Sequence, residues 1–125
     1  MERRDLGNEG EEIAAEYLKK KGYRVLARNW SVRGRNGKMM GELDIVAKKG
    51  KDIVFVEVKA GSSNDPAWRP EIHVTTTKAV RLKRAALVWL AMNKKLNAPW
   101  QIDVIAVDFG GEIPRVRHIP QAVSF

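Results

Sequence analysis

Three charged residues interrupt a hydrophobic segment between residues 41 and 59. The segment, GELDIVAKKGKDIVFVEVK, contains two apolar runs joined by a lysine-glycine turn, and it includes Asp44, Glu57 and Lys59. Such runs are typical of buried strands, where an ionised side chain needs a compensating partner. Two carboxylates suit a hard divalent cation, and a nearby lysine can polarise water or stabilise charge on a phosphate. These residue types could together support metal-assisted hydrolysis.

The length of the turn decides whether the two acids meet. In an antiparallel hairpin with a loop of two or four residues, Asp44 lies directly opposite Glu57. Because side chains alternate, Val46, Phe55 and Lys59 then lie on the same face. Paired carboxylates beside apolar residues repel each other, and Mg²⁺ would offset that repulsion. A three-residue loop would turn Asp44 to the other face, and a solvent-exposed strand face neutralised by Lys59 is the alternative interpretation.

A third candidate acid, Glu11, lies in a predicted helix near the N-terminus. It precedes Ala14 by three residues and Leu18 by seven, so a helix places it on the stripe that faces the core, whereas Glu12 points to solvent. An inward carboxylate needs a partner. Alternatively, Asn8 begins the helix and Glu11 reaches back to it in a capping box. The spacing supports both interpretations.

The elements that must position these side chains follow from hydrophobic periodicity and from turn and cap residues. In chain order they are a helix at residues 6–21, strands at 23–30, 42–48 and 52–59, a helix with a threonine cap at 76–95, and strands at 100–109 and, more weakly, 113–119. The strands are apolar on both faces, which is typical of a sheet covered by helices on both sides. We therefore predict one α/β domain spanning residues 1–125.

The chain carries an excess of positive charge, with 23 Lys and Arg against 15 Asp and Glu and a net charge of +8. This charge suits a polyanionic partner, most commonly nucleic acid, or a cationic surface without a specific ligand. An anionic membrane surface is less favoured, because no segment is both strongly basic and strongly amphipathic with an aromatic edge. The absence of cysteine excludes thiolate chemistry, and the polar N-terminus without a long apolar run predicts a cytoplasmic protein.

Several basic residues could follow a phosphate backbone. Lys78, Arg81 and Arg84 recur every three residues on the predicted second helix, away from its apolar stripe. Arg33 and Arg35 lie in a basic, glycine-containing connection after the first strand. Such rows are usually solvated surface, but an anionic substrate at the hairpin would favour phosphate binding.

A long segment, residues 60–77, separates the third strand from the second helix and has two prolines and little periodicity. Loops of this length in small domains are usually functional or mobile. Its Trp68 and Arg69 could stack on a base or insert into a junction of nucleic-acid strands. Packing of Trp68 over the sheet edge is equally consistent with the sequence.

The arrangement of an Asp on one strand, Glu-Xaa-Lys on the next and a Glu on the preceding helix resembles the PD-(D/E)XK nuclease superfamily. More narrowly, the chain resembles the YraN-type family of uncharacterised bacterial proteins, which are restriction-endonuclease-like and akin to archaeal Holliday-junction resolvases. The segments that carry this resemblance are GNEGEEIAAEYLKKKGYRVLARNW, GELDIVA, FVEVK, TTTKAVRLKRAALVWL and DVIAV. They cover nearly the whole chain in the family's order.

The resemblance implies a restriction-endonuclease-like fold, with a central mixed sheet flanked by helices in αβββαβ order. It also implies that Asp44, Glu57 and the carbonyl of Val58 bind Mg²⁺ or Mn²⁺. Glu11 would support the metal directly or through water, and Lys59 would act on the attacking water. The implied activity is hydrolysis of phosphodiester bonds in DNA, with branched or structured DNA as a candidate substrate. Junction-cutting relatives act as dimers, so a homodimer is a further expectation.

Two departures from the family pattern leave other functions open. Gly61 stands where an arginine is expected after the lysine, and Gln101 stands where an arginine precedes Asp103. Lys78 matches a family position that is often basic or Gln in related nucleases, which makes it a candidate phosphate contact. Asp103 also matches a family position, but the sequence gives it no chemical role. A nucleic-acid-binding module without turnover and a basic protein-interaction scaffold are therefore the alternatives to a nuclease.

Overall fold

The computed structural model of the protein describes residues 3–68 and 74–123. Its elements are α1 (Arg3–Lys20), β1 (Arg24–Arg33), β2 (Met39–Lys49), β3 (Asp52–Gly61), α2 (Thr76–Met92), β4 (Trp100–Asp108) and β5 (Arg115–Ile119). The predicted order of helices and strands is confirmed, including the weak last strand. Among the described residues, no helix has the length and apolar character needed to cross a membrane.

The two helices differ slightly from the predicted segments at their ends. Because α1 begins at Arg3, Asn8 lies inside the helix and cannot cap it, so the capping-box interpretation of Asn8 and Glu11 is wrong. The predicted threonine cap of α2 is confirmed, since the Thr75 hydroxyl accepts a hydrogen bond from the Lys78 N–H at 3.2 Å. The helix ends at Met92, three residues earlier than predicted.

The five strands form one mixed sheet in the order β1-β2-β3-β4-β5. Strands β3 and β4 are parallel, and the other neighbouring pairs are antiparallel. Helix α2 lies in the crossover that a parallel pair requires. The α/β class and the mixed sheet are as predicted, and this arrangement is compatible with a restriction-endonuclease-like fold.

The helices cover opposite faces of the sheet, and a separate hydrophobic cluster lies under each. Phe55 is central to the α2 side, where its ring makes edge contacts with Trp89 and Trp100 at centroid distances of 5.8 and 5.9 Å. On the α1 side, Leu18 packs against Val56 and its neighbours. The alternating side chains of β3 thus supply both clusters, which explains why this strand reads as continuously apolar.

Two glycines let the helices approach the central strands closely. A Cβ on Gly10 of α1 would lie 2.8 Å from the Ala60 Cβ on β3, and a Cβ on Gly41 of β2 would lie 2.9 Å from the Arg81 carbonyl oxygen on α2. Both distances are shorter than real Cβ contacts, so these positions admit only glycine without movement. The helices therefore contact β2 and β3 near Asp44 and Glu57.

Candidate active site

The β2–β3 hairpin has the register that the two-residue turn predicts. Paired positions run from Lys49 opposite Asp52 to Ile45 opposite Val56. The turn includes Gly50 at a φ of 61°, a left-handed conformation that glycine adopts without a Cβ clash. Asp44 and Glu57 follow immediately beyond the last paired residues, and we call these two acids the carboxylate pair.

Asp44 interrupts the alternation of side chains along β2. Leu43 packs in the cluster under α2, whereas Ile45 packs in the cluster under α1. Between them, Oδ2 of Asp44 accepts a hydrogen bond of 2.8 Å from the Val58 N–H. The carboxylate therefore points towards the backbone of β3. The Asp44 oxygen thus accepts the hydrogen bond that a backbone carbonyl of β2 would accept if the β2–β3 ladder continued here.

Glu57 is nearly enclosed, with 9% of its surface exposed. Its carboxyl group lies close to that of Asp44, so that each acid affects the pKa of the other. Burial, followed by the charge of Asp44, raises the pKa of Glu57 from 4.5 to about 7, although Lys78 and Lys59 act in the opposite direction. Burial also raises the pKa of Asp44, against the effect of the Val58 N–H. Negative charge in the pair is therefore incompletely compensated by the protein.

Lys78 contributes to this site, contrary to its predicted place on the outer face of α2. Its Nζ lies 3.5 Å from Oε1 of Glu57, and its charge lowers the pKa of both acids of the carboxylate pair. The side chain starts in the first turn of α2 and reaches across the end of β3. Arg81 and Arg84, in contrast, are exposed as predicted.

Glu11 borders the carboxylate pair from α1. Burial and the charge of Asp44 raise the pKa of Glu11, while a hydrogen bond from Asn29 and the charge of Arg28 lower it. With its amide nitrogen facing α1, Asn29 donates to Oε2 of Glu11 at 2.8 Å, and Asn29 itself has a positive φ of 52°. The neighbouring Glu12 is exposed, as predicted, and pairs with Arg28 at 3.0 Å.

The carboxylate pair suits a metal cation that is coordinated by only a few protein side chains. Among residues 3–68 and 74–123, no group of three or more histidine, aspartate or glutamate side chains is arranged to hold a metal ion. Glu11 therefore does not complete a three-acid group with Asp44 and Glu57, and its support through water stays a prediction. Two hard carboxylates with incompletely compensated charge fit Mg²⁺ or Mn²⁺, which retain water ligands and bind substrate oxygens.

The remaining predicted nucleic-acid contacts have different locations. Arg33 and Arg35 are exposed in and beside the β1–β2 turn, where Arg33 donates to the Gly37 carbonyl oxygen at 2.9 Å. Arg69 lies outside the described residues. Trp68 packs with its indole directly against Gly61, at the end of the central strand β3 and not at an edge strand of the sheet. The same contact explains one departure from the family pattern, because the indole occupies the space that a side chain at position 61 would need.

Asp103 acquires a structural role that sequence reasoning missed. It is fully buried, and its oxygens accept from the Gln101 amide at 2.8 Å and the Gln121 N–H at 2.9 Å, and bond to His118 Nε2 at 2.7 Å. Nδ1 of His118 is in turn hydrogen-bonded to the Tyr17 hydroxyl at 3.2 Å. This network joins β4, β5 and α1. His118 reaches Asp103 because it pairs with Ile105, two residues along β4, and no local sequence signal indicates this register.

Comparison with known proteins identifies the family. The sequence model of "Uncharacterised protein family UPF0102" matches residues 10–107. A UPF0102 protein of Geobacter metallireducens is 42% identical over 122 residues, covering 98% of this chain and 94% of the relative. A UPF0102 protein of Roseiflexus castenholzii is 40% identical and covers 95% of this chain and 93% of the relative. The protein therefore belongs to the uncharacterised protein family UPF0102, the YraN-type family that its motifs resemble.

Proposed function

We propose that the protein is a metal-dependent nuclease that hydrolyses phosphodiester bonds in DNA. The observation that carries this proposal is the close approach of Asp44 and Glu57 inside the sheet, where burial, followed by the charge of Asp44, raises the pKa of Glu57 to about 7. A stable fold gains nothing from a buried acid beside a second, partly buried one. A site that binds a divalent cation and an anionic substrate requires such a pair, and the net charge of +8 favours a nucleic-acid substrate.

The residues of the site have complementary roles in this proposal. Asp44, Glu57 and the Val58 carbonyl would hold Mg²⁺ or Mn²⁺, and a bound ion would supply Lewis acidity and a lower pKa for bound water. The Val58 N–H fixes the orientation of Asp44. Lys59 would orient the attacking water, and Lys78, with its ammonium 3.5 Å from Glu57, would neutralise a phosphate oxygen.

Cleavage assays with matched variants test the proposal. Duplex, single-stranded and four-way-junction DNA are incubated with the protein in Mg²⁺, Mn²⁺ or EDTA. Asp44→Asn retains an oxygen that accepts from the Val58 N–H but removes the charge, and Asp52→Asn is the control in the same hairpin, where Asp52 is exposed. We expect metal-dependent cleavage that falls at least about 100-fold in Asp44→Asn and in Lys59→Ala and is unchanged in Asp52→Asn.

Each other outcome has a defined meaning. Cleavage that persists in EDTA or in Asp44→Asn contradicts the mechanism. DNA binding without cleavage in either metal indicates a binding module that retains the fold. If the protein neither binds nor cleaves nucleic acid, the nuclease proposal is overturned and the protein-interaction scaffold is favoured.

A further inference from the structure

A groove lies between the start of β2 and the start of α2, next to the carboxylate pair. Its volume is about 150 Å³, and the lining includes Met39, Met40, Glu42, Lys78 and Arg81. We call it the methionine groove. Lys78 belongs to both places, because the same side chain lines the groove and contacts Glu57 at 3.5 Å. A molecule in the groove would therefore extend directly from whatever occupies the carboxylate pair.

Two consecutive methionines form one wall of this groove. Met39 is 44% exposed and Met40 is 38% exposed, although most large apolar side chains of the strands are buried. Met40 packs against Gly34 of the β1–β2 turn, where a Cβ would lie 3.1 Å from its sulfur. The methionine wall is therefore supported from behind while its outer side faces solvent. Polarisable thioethers of this kind make favourable contacts with the faces and edges of aromatic rings.

The charges of the methionine groove have both signs. Lys78 and Arg81 supply positive charge, whereas Glu42 is an exposed acid close enough to raise the pKa of Asp44. A phosphate in the groove would be attracted by the cations and repelled by Glu42. A neutral, flat group with N–H donors and carbonyl acceptors satisfies both signs and also covers the methionines. The volume is below the roughly 300–1,000 Å³ of common ligand pockets, so one ring system fits better than a larger ligand.

We propose that the methionine groove holds one unpaired base of a nucleic-acid strand whose adjacent phosphate lies at the carboxylate pair. This inference rests on the proposed nuclease function and defines the substrate class: nucleic acid with an unpaired nucleotide next to the cut, in a bulge, a flap or a single strand. In a perfect duplex every base is stacked and paired, so filling the groove would require the base to be removed from the stack, at a cost of a few kcal/mol.

Binding measurements on matched oligonucleotides test this inference. Fluorescence anisotropy compares one labelled duplex with the same duplex carrying one central unpaired nucleotide, in EDTA and again with Ca²⁺. We expect the protein to bind the bulged duplex about tenfold more tightly. In Met39→Ser/Met40→Ser this preference should disappear while the affinity for the perfect duplex stays the same. Met39→Leu/Met40→Leu retains an apolar wall and should keep much of the preference. Met92→Ser removes a methionine that is 68% exposed on another part of the surface, and should keep all of it.

Failure of this inference can be distinguished from failure of the proposed function. Equal affinity of the wild-type protein for both duplexes, or a preference that survives Met39→Ser/Met40→Ser, overturns the role of the groove. If metal-dependent cleavage is nevertheless observed, the nuclease proposal stands without it. If the protein binds none of the oligonucleotides, both proposals fall. A tenfold preference without cleavage supports the groove and overturns only the catalytic proposal.

Discussion

Replacement of Glu57 by glutamine should make the metal-free protein more stable above neutral pH. Burial and the charge of Asp44 raise the pKa of Glu57 from 4.5 to about 7. Between these pH values the folded protein keeps the Glu57 proton, whereas the unfolded chain has released it. The free energy of unfolding therefore falls as the pH rises through this window, and the loss is complete above about pH 7. Glutamine has no charge to bury and retains an oxygen near Lys78.

The size of the effect follows from the pKa difference. One pKa unit corresponds to about 1.4 kcal/mol, so a pKa raised from 4.5 to about 7 makes the ionised side chain cost the folded state about 3 kcal/mol. Little of this is screened by solvent, because only 11% of the Glu57 side chain is exposed. We expect Glu57→Gln to match the wild type near pH 4 and to exceed its free energy of unfolding by about 3 kcal/mol at pH 8.

Urea unfolding followed by tryptophan fluorescence, at several pH values between 4 and 8 in EDTA, measures this difference. Glu9→Gln is the control, because it removes an exposed glutamate on α1. At pH 8, addition of Mg²⁺ should raise the free energy of unfolding of the wild type much more than that of Glu57→Gln. The reasoning is refuted if the stability of the wild type does not fall between pH 5 and 7.5. It is also refuted if Glu57→Gln shows the same pH dependence as the wild type.

Two further predictions concern the scaffold around the site. Asp103→Ala should lower the free energy of unfolding by about 3 kcal/mol, because it leaves the donors of Gln101, Gln121 and His118 without their shared, fully buried acceptor. Chemical denaturation measures this loss, and a value below about 1 kcal/mol would contradict the network. Gly41→Ala should lower the free energy of unfolding by about 1–3 kcal/mol, measured by thermal unfolding, because the new Cβ would meet the α2 backbone. Gly7→Ala is the control: it adds a Cβ in open space on α1, so its stability should be unchanged or higher. Equal effects of the two substitutions would refute the close contact at Gly41.

The order of elements and the hairpin register could be predicted from the sequence because both depend on local signals. Alternating apolar residues define the strands, and the lysine-glycine turn fixes which positions face each other. The same local reasoning identified Asp44 and Glu57 as a pair. The same reasoning predicted that Glu11 faces the sheet, because its helical spacing from the core residues Ala14 and Leu18 can be read from the local sequence.

Features that depend on how distant segments pack were not predictable in this way. Lys78 reaches Glu57 because α2 crosses the end of β3, and helical spacing alone assigns it to the outer face. The turn of Asp44 towards β3 depends on a hydrogen bond to Val58 that the alternation rule ignores. The role of Asp103 could be predicted only from the β4–β5 register, which brings His118 to it. The position of Trp68 depends on its contact with Gly61, which the sequence does not show.

Because β3 and β4 are parallel, a long connection that includes α2 joins them, and the residues of the site come from two separate parts of the chain. The acids and Lys59 belong to α1 and the antiparallel β1–β3 meander, whose contacts are close in sequence. Lys78 belongs to α2, which is joined to β3 by a long connection. Contacts between neighbouring segments form faster than contacts that close long loops. During folding, the two carboxyl groups would therefore meet before Lys78 reaches them, and Lys78 would reduce their mutual repulsion only once α2 docks on the sheet.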